Sequence, residues 1–146
     1  MKRVAKYALL FSALLVFMGG GAGIYGKDGA AGGDFFLELR KTDPVRRDGF
    51  LDGRINTSIT GRGEVQSVEP LARYHRKFRI MMAAVGVENP RIILYVFTDR
   101  SDYLKILNKG DLFEFRGQLT VYTPLNARRD SYILDIVLED GAVVVR

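Results

Sequence analysis

The sequence predicts an all-β domain whose strands close into a small barrel, and two observations lead to this. Residues 111–122 hold the longest clean alternation of apolar and polar side chains in the chain, which is typical of a strand with one buried and one wet face. These twelve residues exceed the usual strand length of about five or six, and Gly117 interrupts the buried parity, where a missing side chain lets a strand bend. A long, bent strand is expected in a closed barrel.

The first 26 residues have the layout of a secretory signal, with three positive charges within residues 2–6, an apolar run at residues 7–18 and a small-residue tract at residues 19–23. An uncleaved anchor is the alternative, because residues 7–26 carry no charge over 20 positions and about 20 residues span a bilayer. Both alternatives send the body of the chain across the membrane, since the positive charges hold the amino terminus in the cytoplasm. We therefore expect an exported, periplasmic protein that is either free or anchored in the inner membrane.

Residues 27–53 are predicted as a flexible tether followed by a segment that wraps the domain. Residues 27–34 are rich in glycine, and Phe35–Leu39 is a short apolar patch. Three acids that each precede Pro or Gly indicate successive turns, and turn chemistry explains them better than a calcium site does. These acids are Asp43, Asp48 and Asp52.

Residues 54–146 are predicted to form the domain itself. Strands are expected at residues 55–68, 78–85 and 91–97, with a polar loop at residues 70–77 between the first two. The third of these strands is apolar on both parities, so it is either covered on both faces or exposes an apolar surface for binding on one.

A helix of about two turns is predicted from Tyr103, because capping side chains precede it and apolar residues then repeat at helical spacing. Lys109-Gly110 is a helix-stop signal. The helix leads into the strand at residues 111–122, a loop at residues 123–130 and a last strand at residues 132–139.

This order of three strands, a short helix and two strands resembles the OB-fold, a Greek-key barrel. Residues 107–117, which read Leu-Asn-Lys-Gly-Asp-Leu-Phe-Glu-Phe-Arg-Gly, look like the part of tRNA-anticodon-binding-like OB domains in which Gly-Asp opens the fourth strand and a glycine follows. The resemblance covers about residues 54–140. It implies a five-stranded barrel with its helix between strands three and four, and a ligand on the outer face of strands two and three beside the first–second and fourth–fifth loops. A shared fold does not by itself carry an activity.

The composition gives little support to a nucleic-acid-binding protein or to an enzyme. The whole chain has a net charge of +5, but residues 27–146 hold 19 basic and 17 acidic side chains, which leaves a small excess. The chain has no cysteine and one histidine, His75, whose basic neighbours would repel a metal cation. We expect no enzymatic activity, no metal and no cofactor.

Two basic loops are expected to rim one face of the barrel, with two aromatic side chains of the third strand between them. The candidate ligand-binding residues are Arg73, His75, Arg76, Lys77, Tyr95, Phe97, Arg128 and Arg129. Tyr95 and Phe97 would offer stacking surfaces; alternatively, both lie inside the barrel or beneath residues 35–50. We expect a non-enzymatic binding or adaptor domain of the cell envelope, whose partner is an envelope protein or an anionic ligand. A nucleic-acid-binding OB domain is the alternative.

Overall fold

In the computed structural model, which describes residues 35–144, two helices precede a five-stranded barrel. The predicted signal or anchor at residues 1–26 and the predicted tether at residues 27–34 lie outside the described residues. In chain order the elements are α1 (residues 35–41), α2 (Pro44–Asp52), β1 (Ser58–Arg73), β2 (Arg76–Ala84), β3 (Arg91–Thr98), α3 (Tyr103–Ile106), β4 (Leu112–Pro124) and β5 (Ser131–Val144).

The barrel closes in the strand order β1-β2-β3-β5-β4. β1 pairs antiparallel with both β2 and β4, and a parallel pairing of β3 with β5 completes the ring. This is the OB-fold, a five-stranded Greek-key barrel, and α3 lies between β3 and β4 as the sequence predicts. α3 is one turn long, whereas the sequence predicts about two turns.

The interior of the barrel contains the apolar parity that the sequence predicts for β4 as far as Leu119. Beyond it the β4–β5 register shifts, and Val121, which shares the predicted buried parity, is 38% exposed. On β4 the inward side chains are Phe113, Phe115 and Leu119, all of them buried. Gly117 takes the remaining inward position, because a Cβ atom there would lie 2.6 Å from the carbonyl oxygen of Val137 on β5. The β4–β5 ladder shifts register beside this glycine. Gly117 therefore permits a close approach between two curved strands.

The segment before the barrel is helical, which corrects the prediction of successive turns. Asp48 and Gly49 lie in the middle of α2 instead of in a turn. Asp43-Pro44 marks the start of α2, because proline is favoured in the first turn of a helix, where its missing N–H costs nothing. Phe35, Leu39 and other apolar side chains of the two helices are fully buried in the same core as the barrel. No helix within residues 35–144 is long and apolar enough to cross a bilayer.

Polar contacts fix α2 to the loop between β4 and β5 and to the strand residues beside it. Arg47 is only 4% exposed, and its Nη1 donates a 2.7 Å hydrogen bond to the carbonyl oxygen of Arg129. Asp48 accepts hydrogen bonds from the Tyr132 hydroxyl and from the Arg129 Nε, both at 2.8 Å. The Tyr122 hydroxyl donates to Asp52 at 2.7 Å. The helix and the loop are thus held as one unit.

The predicted polar loop at residues 70–77 is a β-hairpin, which is a second correction. β1 continues to Arg73 and β2 begins at Arg76, so only Tyr74 and His75 form the turn. Both have positive φ angles, 53° and 57°, as a two-residue hairpin turn of type I′ requires. The pairing of β2 with β3 starts at Phe78, so the tip of the hairpin extends beyond the ladders of the barrel. Residues 72–77 are mostly basic and so lack the alternation of apolar and polar side chains by which a strand is identified.

Candidate ligand-binding surface

The outward parities of β2, β3 and β5 form one continuous surface. The ladder registers place Arg79 beside Phe97, Met81 beside Tyr95, and Tyr95 beside Asp135. The alternate residues of the same strands point inward and belong to the barrel core. We call this surface the outer face, and define it by Arg79, Met81, Ile93, Tyr95, Phe97, Ile133 and Asp135.

A stacked pair, Arg79 on Tyr95, occupies the centre of the outer face. The Arg79 Cζ lies 4.3 Å from the centroid of the Tyr95 ring, within the range of a cation–π interaction. Glu69 on β1 accepts a 3.1 Å hydrogen bond from the Arg79 Nε and so fixes the guanidinium from the side. Tyr95, Met81 and Ile93 are all half-buried. The centre is therefore a preformed platform of an aromatic ring, an arginine paired with Glu69 and apolar side chains, and solvent can reach it.

Phe97 lies on the outer face but is 0% exposed. Its ring meets the ring of Tyr74 edge to face, with centroids 5.1 Å apart and planes at 81°. The alternative that both aromatic residues lie inside the barrel or under residues 35–50 is thus wrong: Tyr95 is on the outer face, and the β1–β2 turn covers Phe97. The sequence contains Tyr74, but no local pattern indicates that its ring folds back over β3.

Asp135 is a buried carboxylate in the middle of β5, 4% exposed, on the same face. It accepts a 2.6 Å hydrogen bond from the Tyr74 hydroxyl and pairs with the Arg73 Nη1 at 3.1 Å. The Arg73 guanidinium also lies over the Tyr74 ring, 5.1 Å from its centroid. Burial and the hydrogen bond to Asp135 together raise the pKa of Tyr74 to about 12. Sequence analysis did not identify Asp135 or Tyr74 as site residues.

The predicted basic residues do not form one free cationic rim. Arg73 pairs with Asp135, and Arg76 lies 3.8 Å from Asp99. Arg129 is turned towards Asp48 on α2. Within residues 35–144 the side chains of the other three predicted cationic or titratable residues have no acidic partner. These are His75, Lys77 and Arg128, and all are exposed.

The two basic groups also lie at opposite ends of β3. The β1–β2 turn is near the carboxyl end of β3, where the backbone N–H of Lys77 donates to Asp99. The β4–β5 loop is near the amino end, where the Arg91 N–H donates to the carbonyl oxygen of Asp130. The length of β3, eight residues at 3.3 Å per step, separates them by about 23 Å. Arg91 is an exposed basic residue that sequence reasoning missed, although it shares the parity of Tyr95.

A second, shallow groove of about 580 Å³ lies between α1, β1, β4 and the end of β5. Three of the four charged side chains that line it are paired across strands, Arg62 with Glu114 and Arg116 with Glu139. The fourth, Asp140, accepts a 2.9 Å hydrogen bond from the Gly141 N–H. No group of three His, Asp or Glu side chains within residues 35–144 is placed to hold a metal ion. The outer face therefore has the more distinctive chemistry.

No protein-family model matches the chain, and no curated protein matches it. Similar solved structures include the mitochondrial single-stranded DNA-binding protein Rim1 of S. cerevisiae, at 14% identity over 60% of this chain and 94% of that chain, with a TM-score of 0.43. The small single-stranded DNA-binding protein from Streptomyces coelicolor is 18% identical over 62% of this chain and 94% of that chain, with a TM-score of 0.41. Aspartyl tRNA synthetase from Entamoeba histolytica is 11% identical over 63% of this chain and 19% of that chain, with a TM-score of 0.43. At this level of similarity, the ligands of those proteins do not carry over to this chain.

Proposed function

We propose that this chain is an exported, non-enzymatic binding domain of the cell envelope and that it holds a protein partner on its outer face. The observation that carries the proposal is the stacked pair of Arg79 and Tyr95, fixed from the side by Glu69. Tyrosine and arginine dominate the energetics of many protein interfaces. Because both side chains are ordered before a partner arrives, binding costs less conformational entropy.

The surroundings of the pair support a protein partner over a strongly charged one. Half-buried Met81 and Ile93 extend the apolar surface around Tyr95. The acids Asp135 and Asp99 neutralise two of the basic residues at the β1–β2 hairpin. An apolar centre with a rim of balanced charge is the usual composition of a protein–protein interface.

Export rests on the amino-terminal residues, whose positive charges precede an uncharged apolar run. A reporter enzyme that is active only outside the cytoplasm tests it when fused after residue 53. We expect an active fusion. An inactive fusion, with the protein in the soluble cytosol, would refute export.

Binding at the outer face is tested with two variants used as bait beside the unaltered chain. Tyr95→Ala removes the ring on which Arg79 stacks, and Glu114→Gln changes an exposed residue of β4 outside the outer face. A partner that binds the outer face should be recovered by the unaltered chain and by Glu114→Gln. It should be lost with Tyr95→Ala, because loss of a central tyrosine typically costs about 2 kcal/mol or more. Equal recovery by both variants would place the interface elsewhere.

Single-stranded nucleic acid is a second candidate, because exposed cations flank the Tyr95 platform at both ends of β3. Lys77 lies at one end, Arg91 and Arg128 lie at the other, and none of the three has an acidic partner within residues 35–144. Bases could stack on Tyr95 while phosphates reach these cations.

Titration of labelled oligonucleotides against salt tests this second candidate. If all three cations contacted phosphates, the logarithm of affinity would fall with the logarithm of salt at a slope of about −2, since each contact releases roughly 0.7 counterion. Replacing all three by glutamine should then abolish the slope. Absence of binding at low salt would eliminate this candidate.

A further inference from the structure

Tyr74 has a backbone conformation that its residue type does not favour. Tyr74 and His75 occupy both central positions of the β1–β2 turn, at φ angles of 53° and 57°. Turns of this type usually contain asparagine and glycine there. Glycine has no side chain to oppose positive φ, and asparagine tolerates positive φ better than most residues do. The pairing of Arg73 with Arg76 that closes the hairpin and the contacts of the Tyr74 side chain therefore hold Tyr74 in this conformation, against the preference of its backbone.

Those contacts are made with two residues that the barrel core does not use. Phe97 and Asp135 point outward and lie outside the buried apolar cluster of the barrel. A buried carboxylate requires hydrogen-bond partners, since its desolvation is otherwise costly. Under the Tyr74 ring, the ring of Phe97 therefore lies beside the carboxylate of Asp135, which needs a hydrogen-bond donor.

The hairpin tip has few other attachments to the barrel. The β2–β3 ladder begins only at Phe78, and the β1–β2 ladder is irregular between Pro70 and Arg73. Beyond these points the tip is tied down by Tyr74, by the ion pairs of Arg73 and Arg76, and by the Lys77 N–H. The tip can therefore lift without breaking a ladder of the barrel.

We infer that Phe97 and Asp135 form a subsite for a tyrosine side chain of a protein partner and that Tyr74 is its resident occupant, displaced on binding. The entering ring packs edge to face on Phe97, and its hydroxyl donates a hydrogen bond to Asp135, as those of Tyr74 do. The inference rests on the proposed function, because the subsite is continuous with the central platform: Tyr95 and Asp135 are neighbours in the β3–β5 ladder.

Titration of p-cresol, the side chain of tyrosine as a free molecule, tests displacement in the unaltered chain. We expect the backbone amide NMR signals of Ala72 and His75 to move saturably towards their positions in Tyr74→Gly, in which the resident ring is absent. Toluene lacks the hydroxyl and cannot hydrogen-bond to the carboxylate. Its dissociation constant should therefore be at least about tenfold higher than that of p-cresol.

Tyr74→Gly should bind p-cresol more tightly than the unaltered chain does, since no ring has to leave, and Asp135→Asn added to this variant should weaken binding. Unmoved hairpin signals in the unaltered chain, or equal affinity for p-cresol and toluene, would overturn the inference. If Tyr74→Gly does not fold, the unaltered chain alone decides the matter. Its hairpin signals should then shift saturably with p-cresol and much less with the same concentration of toluene. These titrations need no partner, so their outcome is independent of the bait experiment that tests the proposed function.

Discussion

The hydroxyl of Tyr74 donates a 2.6 Å hydrogen bond to Asp135, which links the tip of the β1–β2 hairpin to the middle of β5. This bond and the burial of the ring raise the pKa of Tyr74 from 10.0 to about 12. A hydrogen bond to Asp52, together with burial, raises the pKa of Tyr122 to about 12 as well. Two separate parts of the structure therefore depend on protonated tyrosines.

Alkaline pH should consequently destabilise the domain. A group whose pKa is higher in the folded state contributes stability that is complete below its unfolded pKa, here 10.0, and is lost as the pH rises through the folded value of about 12. Urea unfolding at a series of pH values should show the free energy of unfolding falling across this interval. Tyr74→Phe should show a smaller fall; a fall equal to that of the unaltered chain would contradict the role given to the bond with Asp135.

Gly117→Ala should destabilise the barrel by about 1–3 kcal/mol, because the added methyl group overpacks the β4–β5 contact. Its carbon would lie 2.5 Å from the Ile136 Cγ2 and 2.6 Å from the Val137 carbonyl oxygen. Gly49→Ala is the matched control, since no atom lies within 4 Å of a Cβ there and the residue is inside α2. The free energy of unfolding of this control should rise by about 0.5–1 kcal/mol, because alanine is favoured over glycine inside a helix. Similar unfolding midpoints for the two variants would mean that β4 and β5 are not so closely packed.

Arg47→Met should weaken the attachment of α2 to the barrel. The substitution keeps an apolar stem of similar length but removes the hydrogen bonds to the carbonyl oxygens of Arg129 and Thr42. Both bonds are part-buried, so the loss of each should cost about 0.5–1.5 kcal/mol. Arg46→Met, one residue earlier and exposed, should be nearly silent. Equal thermal stability of both variants would show that Arg47 does not hold the helix.

Periodicity along the chain was enough to predict the barrel. The alternation through Phe113, Phe115 and Leu119 identifies β4 and its buried face, because a closed barrel with a single core requires one apolar parity per strand. The change to helical spacing at Tyr103 likewise gives the position of α3. These signals are local, and tertiary contacts agree with them.

The predictions that failed concern features that depend on tertiary contacts. The hairpin around Tyr74 and His75 shows no alternation of apolar and polar residues, because Tyr74, which packs on Phe97, is surrounded by basic residues. Asp48 was expected in a turn because it precedes Gly49, but its hydrogen bonds with Tyr132 and Arg129 help fix a helix there. The cover of Phe97 by Tyr74 depends on a long-range contact between the β1–β2 turn and β3. The resemblance to the OB-fold implied a ligand face on strands two and three. Because residues 92–97 are apolar on both parities, neither the outward parity of β3 nor the charge pairing of the outer face could be predicted.

Site-specific photocrosslinking tests the central claim, a protein partner on the outer face, most directly. A photoreactive phenylalanine analogue is placed at Ile93, beside Tyr95 on the outer face, or at Val45, which is 91% exposed on α2, in cells that express the chain. We expect one discrete crosslinked protein from position 93, lost when Tyr95→Ala is added, and no such product from position 45. The same product from both positions, or from neither, would contradict the assignment of the outer face as the binding surface.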